Sequence, residues 1–250
     1  MMIMLYKYET HLHTSEGSKC GKNTAAEMIC AAKEAGYTGV VITDHNWGGN
    51  TAIDRNLPWE EYVNEFCKGY ENAKAEGDKI GIDVFFGWEA GYRGTEFIIL
   101  GLDKEWLISH PEIKEADIEE QFRLVKKDGG MVIHVHPYRE EDYIPEVRLY
   151  PEFTDAVEII NSAHTNPEGN HYEPMFNERA FEYAKKHNLA MTAGSDIHNT
   201  GLLGGGIYFN RRMKDSRELA SAILNREHEA LTDGSTIWSK RELEKEPTLY

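Results

Sequence analysis

Residues 24–45, TAAEMICAAKEAGYTGVVITDH, decide the fold class. Thr24, followed three residues later by Glu27, is a capping box that starts a helix, and Gly36 ends it. The chain then enters GVVITDH (39–45), a continuous apolar run of the kind buried on both faces of a sheet. That strand ends on two polar residues, Asp44 and His45. A helix that feeds a buried strand is the repeating unit of a parallel sheet with crossover helices.

The unit recurs in both directions. Upstream, YETHLHT (8–14) reads as the end of a first strand. Downstream, PWEEYVNEFCKGYENAKAEG (58–77) reads as one amphipathic helix from Pro58 to Gly77. IDVFFGWEA (82–90), EFIILGL (96–102), GMVIHVH (130–136), DAVEIIN (155–161), LAMTAGSD (189–196) and GGGIYF (204–209) read as strands. Residues 117–128, 175–188 and 215–225 read as helices. The expectation is one α/β domain over residues 1–250, with a polar C-terminal tail from about 238. An open sheet and a closed barrel are both compatible with this pattern; in either, ligands gather where strands end. Gly204-Gly205-Gly206 lacks the spacing and lysine of a phosphate loop and reads as close backbone packing.

Composition narrows the function. Lys and Arg total 27 against 43 Asp and Glu, a formal net charge of −16. An extended nucleic-acid interface is not expected on such a chain, whereas a small anionic substrate is compatible with it. No apolar run approaches the about 20 residues of a membrane span. The start, MMIMLYKYE, lacks a basic n-region and a cleavage site, so it reads as a first strand. Cys20, Cys30 and Cys67 are odd in number and lack metal-type spacing, which suggests a reduced, cytoplasmic protein.

The strand ends carry an unusual set of residues. They are His11-Leu12-His13, Asp44-His45, Glu89, His134-Val135-His136-Pro137, Asn161 followed by His164, and Asp196-Ile197-His198. In extended chain residues i and i+2 face the same way. His11 with His13, and Asp196 with His198, can therefore share an ion; so can His134 with His136 if the strand continues that far. Imidazole with carboxylate suits Zn²⁺, Mn²⁺ or Fe²⁺. Any one of these could be a solvated strand end, a helix cap or a plain turn. Their coincidence at these strand ends predicts two or three divalent ions, with Glu89 as a bridge. Asp44, His45 and His198 are candidates to protonate a leaving group. Arg139 is a candidate phosphate ligand. Asn161 and His164 are candidates to line the substrate site or orient a ligand.

These motifs, in this order, resemble the polymerase and histidinol phosphatase (PHP) domain family along nearly the whole chain. The matching elements are His11-x-His13, Thr43-Asp44-His45, Glu89, His136-Pro137 and Gly194-Ser195-Asp196-x-His198. The resemblance implies a distorted (β/α)7 TIM-like barrel, a di- or trinuclear centre and phosphoester hydrolysis. It implies that His11, His13, Glu89 and Asp196 hold one ion, Glu89 and His136 a second, and His45 and His198 a third. The chain departs from the family pattern twice. Residues 14–18 lack a histidine that many members have there, and residues 96–100 lack another. His164, Glu16, Asp44 or water are the substitutes to expect.

The leading expectation is a phosphomonoesterase acting on a small soluble phosphate such as histidinol phosphate, a nucleotide or a sugar phosphate. A nuclease or phosphodiesterase is an alternative. So are an amidohydrolase-type C–N hydrolase, which usually uses a bridging strand-end lysine not found here, and a non-catalytic metal-binding protein. Oligomeric state is not legible.

Overall fold

A computed structural model of the chain describes residues 4–169, 171–245 and 249. The first three residues of the opening apolar stretch, and residues 246–248 and 250 of the polar tail, lie outside them. In chain order the elements are β1 (Tyr6–Leu12), α1 (Ala25–Glu34), β2 (Gly39–Ile42), α2 (Trp59–Phe66), α3 (Lys68–Ile80), β3 (Asp83–Tyr92) and β4 (Thr95–Leu100). There follow α4 (Lys104–Ser109), α5 (Ile118–Lys127), β5 (Met131–His134), β6 (Ala156–Asn161), α6 (Ser162–Thr165), α7 (Met175–Lys186) and β7 (Ala190–Gly194). The last are β8 (Gly206–Phe209), α8 (Ser216–Leu224), β9 (Ala230–Thr232), β10 (Ile237–Ser239) and α9 (Lys240–Leu243).

Among the described residues ten strands form one sheet, in the order β10-β9-β8-β1-β2-β3-β4-β5-β6-β7. β1, β2 and β3 run parallel, as do β5, β6 and β7. The sheet curls until the chain leaving β7 meets β1. There the His13 amide donates to the Ile197 carbonyl at 3.1 Å, and the Ile197 amide to the His11 carbonyl at 3.4 Å. Glu9 locks this seam, accepting from the amides of His11 and Ser195 at 2.9 Å each. β2 and β6 are buried along their whole length, as continuous apolar strands covered on both faces must be.

The fold is thus a single α/β domain built on a curled half-barrel. A regular count of seven β/α units is not read from it. β3 and β4 are joined by a tight turn through Arg93 and Gly94, both at positive φ, so β4 runs antiparallel to β3 and β5. β8, β9 and β10 extend the other edge in antiparallel fashion.

Two elements differ from expectation. The helix expected over 58–77 is α2 and α3, broken at Cys67. Gly69 abuts the Asp44–Thr14 contact, and a Cβ there would lie 2.5 Å from Asp44 Oδ2 and Thr14 Oγ1. The break lets α3 seat its backbone against that loop. The tail beyond 238 is not purely polar. Ser239 and Glu242 form a capping box on α9, Leu243 joins the core, and Leu249 is buried with its amide on the Glu178 carboxylate. Among the described residues no helix is long and apolar enough to cross a membrane.

Candidate metal centre

The end of β1 delivers His11 and His13 to one place, both fully buried, with ring centroids 5.2 Å apart. Each ring is held from behind. His11 Nδ1 lies 2.9 Å from Glu158 Oε1, and His13 Nδ1 lies 3.2 Å from Ser18 Oγ. The Ser18 hydroxyl itself donates to Asp44 at 2.7 Å, so His13 Nδ1 must carry its proton. Both Nε2 atoms therefore aim their lone pairs inward.

Glu89 is the hub they aim at. Its carboxylate lies 3.4 Å from His11 Nε2, 3.4 Å from His13 Nε2, 2.8 Å from His45 Nδ1 and 3.2 Å from His136 Nε2. Asp196 Oδ1 closes the other side, 3.4 Å from His11 Nε2 and 3.6 Å from His198 Nε2. Glu96, opposite Gly91 across the β3–β4 hairpin, reaches within 3.7 Å of both His45 and His136. His11 Nε2, His13 Nε2, His45 Nδ1 and Glu89 Oε2 are buried without a hydrogen bond. Such convergent unpaired atoms are costly unless a cation satisfies them.

Among the described residues, four overlapping groups have donor atoms within 4.8 Å of one another: His11-His13-Glu89, His11-His136-Asp196, His45-Glu89-Glu96 and His13-Cys20-His45-His198. The residue set fits resident divalent metal ions. His136 and Asp196 both sit at positive φ, 31° and 53°, strain of a kind that gathers at functional sites.

The electrostatics follow from burial. Burial alone would raise Glu89, but His45 and His11 outweigh it and hold its carboxyl well below the usual range. Burial opposes the same outcome for Asp196, where Arg139 and then His11 prevail. Burial and the neighbouring His45 push His13 down to about 3. For Cys20, hydrogen bonds from His198 and His45 overcome burial and bring the thiol to about 7.

Of the residues expected from sequence, His11, His13, His45, Glu89, His136, Asp196 and His198 converge. His134 does not. β5 ends there, the chain turns at His136, and the buried His134 ring stacks on Phe97 at 4.4 Å. Asp44 is buried beside the cluster but committed to the loop. It accepts from the Thr14 amide at 2.7 Å, the Thr14 hydroxyl at 2.6 Å and Ser18. Glu16 caps the start of α1 through the Ala25 amide at 2.9 Å. Arg139 is buried and pairs with Asp196, and its Nε donates to His164 Nε2 at 3.2 Å. Asn161 donates to Glu158 at 2.9 Å and to Asp196 at 3.3 Å. His164 stands behind Arg139, its Nδ1 2.9 Å from Asn177.

Sequence reasoning missed Cys20, Glu96 and Glu158. Glu158 and Glu96 had a signal: each is a carboxylate in an otherwise apolar strand. Cys20 had none, because its partners come from distant strand ends. Cys20 and His198 are half-buried while the carboxylate hub is enclosed, so the centre opens to solvent on their side.

The family model described as PHP domain matches residues 9–233. Among curated proteins none matches. Three solved structures share the fold at low identity. One is a two-domain protein from Bacteroides vulgatus containing a predicted PHP-like metal-dependent phosphoesterase, at 17% identity and TM-score 0.70 over 97% of this chain and 69% of that one. PsfC from Pseudomonas syringae has 16% identity and TM-score 0.60, over 87% and 88%. An amidohydrolase from Chromobacterium violaceum with bound sulfate has 16% identity and TM-score 0.54, over 78% and 88%.

Proposed function

The chain belongs to the PHP domain family, and from that premise we propose that it is a metal-dependent phosphoesterase that hydrolyses a small phosphate monoester. The observation that carries the reading is the Glu89 carboxylate, enclosed by four imidazoles, three of which (His11, His13 and His45) carry an unpaired ring nitrogen. His11, His13, Glu89 and Asp196 would hold one ion, and Glu89, Glu96 and His136 a second. His45 and His198 would contribute to a third. When bound, Zn²⁺, Mn²⁺ or Fe²⁺ lowers the pKa of a water and neutralises phosphate charge.

The chain's own residues do the rest. Glu158, Ser18 and Asn161 fix the ligand side chains, so little reorganisation is left to the reaction. Arg139 adds a buried cation beside Asp196, and its planar fork suits phosphate oxygens. His198, at the opening, is the proton donor we favour for the leaving oxygen when the third ion is not bound, with His45 deeper in. Asp44 supports that work indirectly by fixing the Thr14–Ser18 loop. Three free cysteines agree with a reducing, cytoplasmic setting.

The net charge of −16 favours a small substrate over a long polyanion, which would meet repulsion around the rim. The test is a panel of phosphorylated metabolites, an aryl phosphate and single-stranded DNA, each offered to Zn²⁺-, Mn²⁺- and Fe²⁺-loaded protein. Monoesters should turn over much faster than DNA, and inorganic phosphate should inhibit competitively. Preference for DNA would replace the reading with a nuclease. Inert phosphate esters beside a hydrolysed C–N substrate would replace it with an amidohydrolase.

A further inference from the structure

We propose that Cys20 is a thiolate metal ligand, which with His45 and His198 makes the mouth of the centre a soft-donor pocket selective for a thiophilic ion such as Zn²⁺. The inference rests on the metal-centre reading above and assigns a ligand that the sequence pattern did not.

The geometry begins with the loop after β1. Its backbone is closed by Ser18 N to Thr14 O at 3.0 Å and Gly21 N to Ser18 O at 3.1 Å. It is tied outward by Lys19 N to Asn50 O at 3.0 Å and Lys22 N to His198 O at 2.7 Å. Asp44 clamps it from below through Thr14 and Ser18. At Gly17 a Cβ would fall 2.4 Å from Asp44 Cγ, so the loop can lie against that carboxylate only as glycine. Cys20 is thus held in one place. Its sulfur shares a 4.8 Å neighbourhood with donor atoms of His13, His45 and His198.

The surroundings argue for ligation over packing. A cysteine used as a small hydrophobe is buried among apolar groups. Cys67 is one: fully buried in the aromatic cluster beneath α2, its thiol pushed up to about 12 by burial. Cys20 is half-buried and faces imidazoles. Two of its neighbours, His13 and His45, are at least nine-tenths buried; His13 carries an unpaired Nε2, while the Nδ1 of His45 is turned toward Glu89. The other donor groups are imidazole–carboxylate sets open to Mn²⁺ or Fe²⁺. Sulfur with imidazole favours Zn²⁺ and its spectroscopic stand-in Co²⁺.

The experiment uses full-length protein stripped by chelation and titrated with Co²⁺. The wild type should develop a near-ultraviolet sulfur-to-cobalt charge-transfer band. Cys20→Ser should lose that band, keep the visible bands of cobalt in the other pockets, and bind one Zn²⁺ fewer per chain by elemental analysis. A second readout uses only wild-type protein. Zn²⁺ should protect Cys20 from alkylation at least tenfold, Mn²⁺ should not, and Cys30, exposed on α1, should react equally throughout. Co²⁺ binding without the charge-transfer band, or Cys20 alkylated at the same rate with and without Zn²⁺, overturns the thiolate assignment and leaves the metal centre standing. Failure to take up any Co²⁺ or Zn²⁺ overturns both.

Discussion

Glu158 makes no direct approach to an ion pocket, yet it positions three residues of the centre. One oxygen holds the His11 ring at 2.9 Å, and the other accepts from the His136 amide at 3.1 Å and the Asn161 amide group at 2.9 Å. Its charge also raises the donor strength of the His11 imidazole. Glu158→Gln keeps the volume and removes that charge. Metal affinity should fall by about 10–100-fold, read by competition with a chromophoric chelator, with circular dichroism unchanged. Unaltered affinity would mean that His11 is oriented by packing alone. At this scale the histidines that converge were legible because they stand at strand ends, most with a two-residue period. Cys20, Glu96 and Glu158 were not assigned. A ligand supplied from mid-strand or from a loop has no period, and its partners become visible only once the sheet has curled.

Helix ends were readable where a side chain makes the cap: the Thr24–Glu27 box is present as expected. Strand direction was not, since a buried apolar strand has the same composition whichever way it runs, and the β3–β4 hairpin was therefore invisible. Nor was the break at Cys67, because the amphipathic period continues through it. That break carries its own consequence. Gly69→Ala would drive a methyl into the Asp44–Thr14 contact. It should cost about 1–3 kcal/mol, the usual range for overpacking a tight site, measured by urea unfolding. It should also loosen the Thr14–Ser18 loop and lower Zn²⁺ stoichiometry. A variant of full stability and full zinc content would show that α3 slides at no cost.

The whole molecule should be acid-labile for a reason remote from the centre. His228, 6% exposed just before β9, is held down at about 4 by burial and then by Lys240 and Arg226. The unfolded chain protonates this residue near 6.5. Between those values the unfolded state binds the extra proton, so stability falls as pH drops below 6.5 and the loss is complete below 4. By pH 5 the cost is about 2 kcal/mol. His228→Phe should flatten the stability profile between pH 7 and pH 5 by about that amount. An identical slope in the variant would assign the lability to other groups.

The seam at Leu12 and Ile197 also sets a timetable. The Glu9–Ser195 contact that locks it joins residues 186 positions apart. Synthesis runs from the N-terminus, and contacts between distant residues form late. While the chain is still emerging from the ribosome it offers ion-binding fragments, such as the lone His11–His13 pair, without the enclosure that would hold an ion tightly. If the centre holds metal as proposed, its acquisition should therefore follow closure of this seam. Protein made under chelation should then fold and take up its ions afterwards, read by circular dichroism before and elemental analysis after metal is added back.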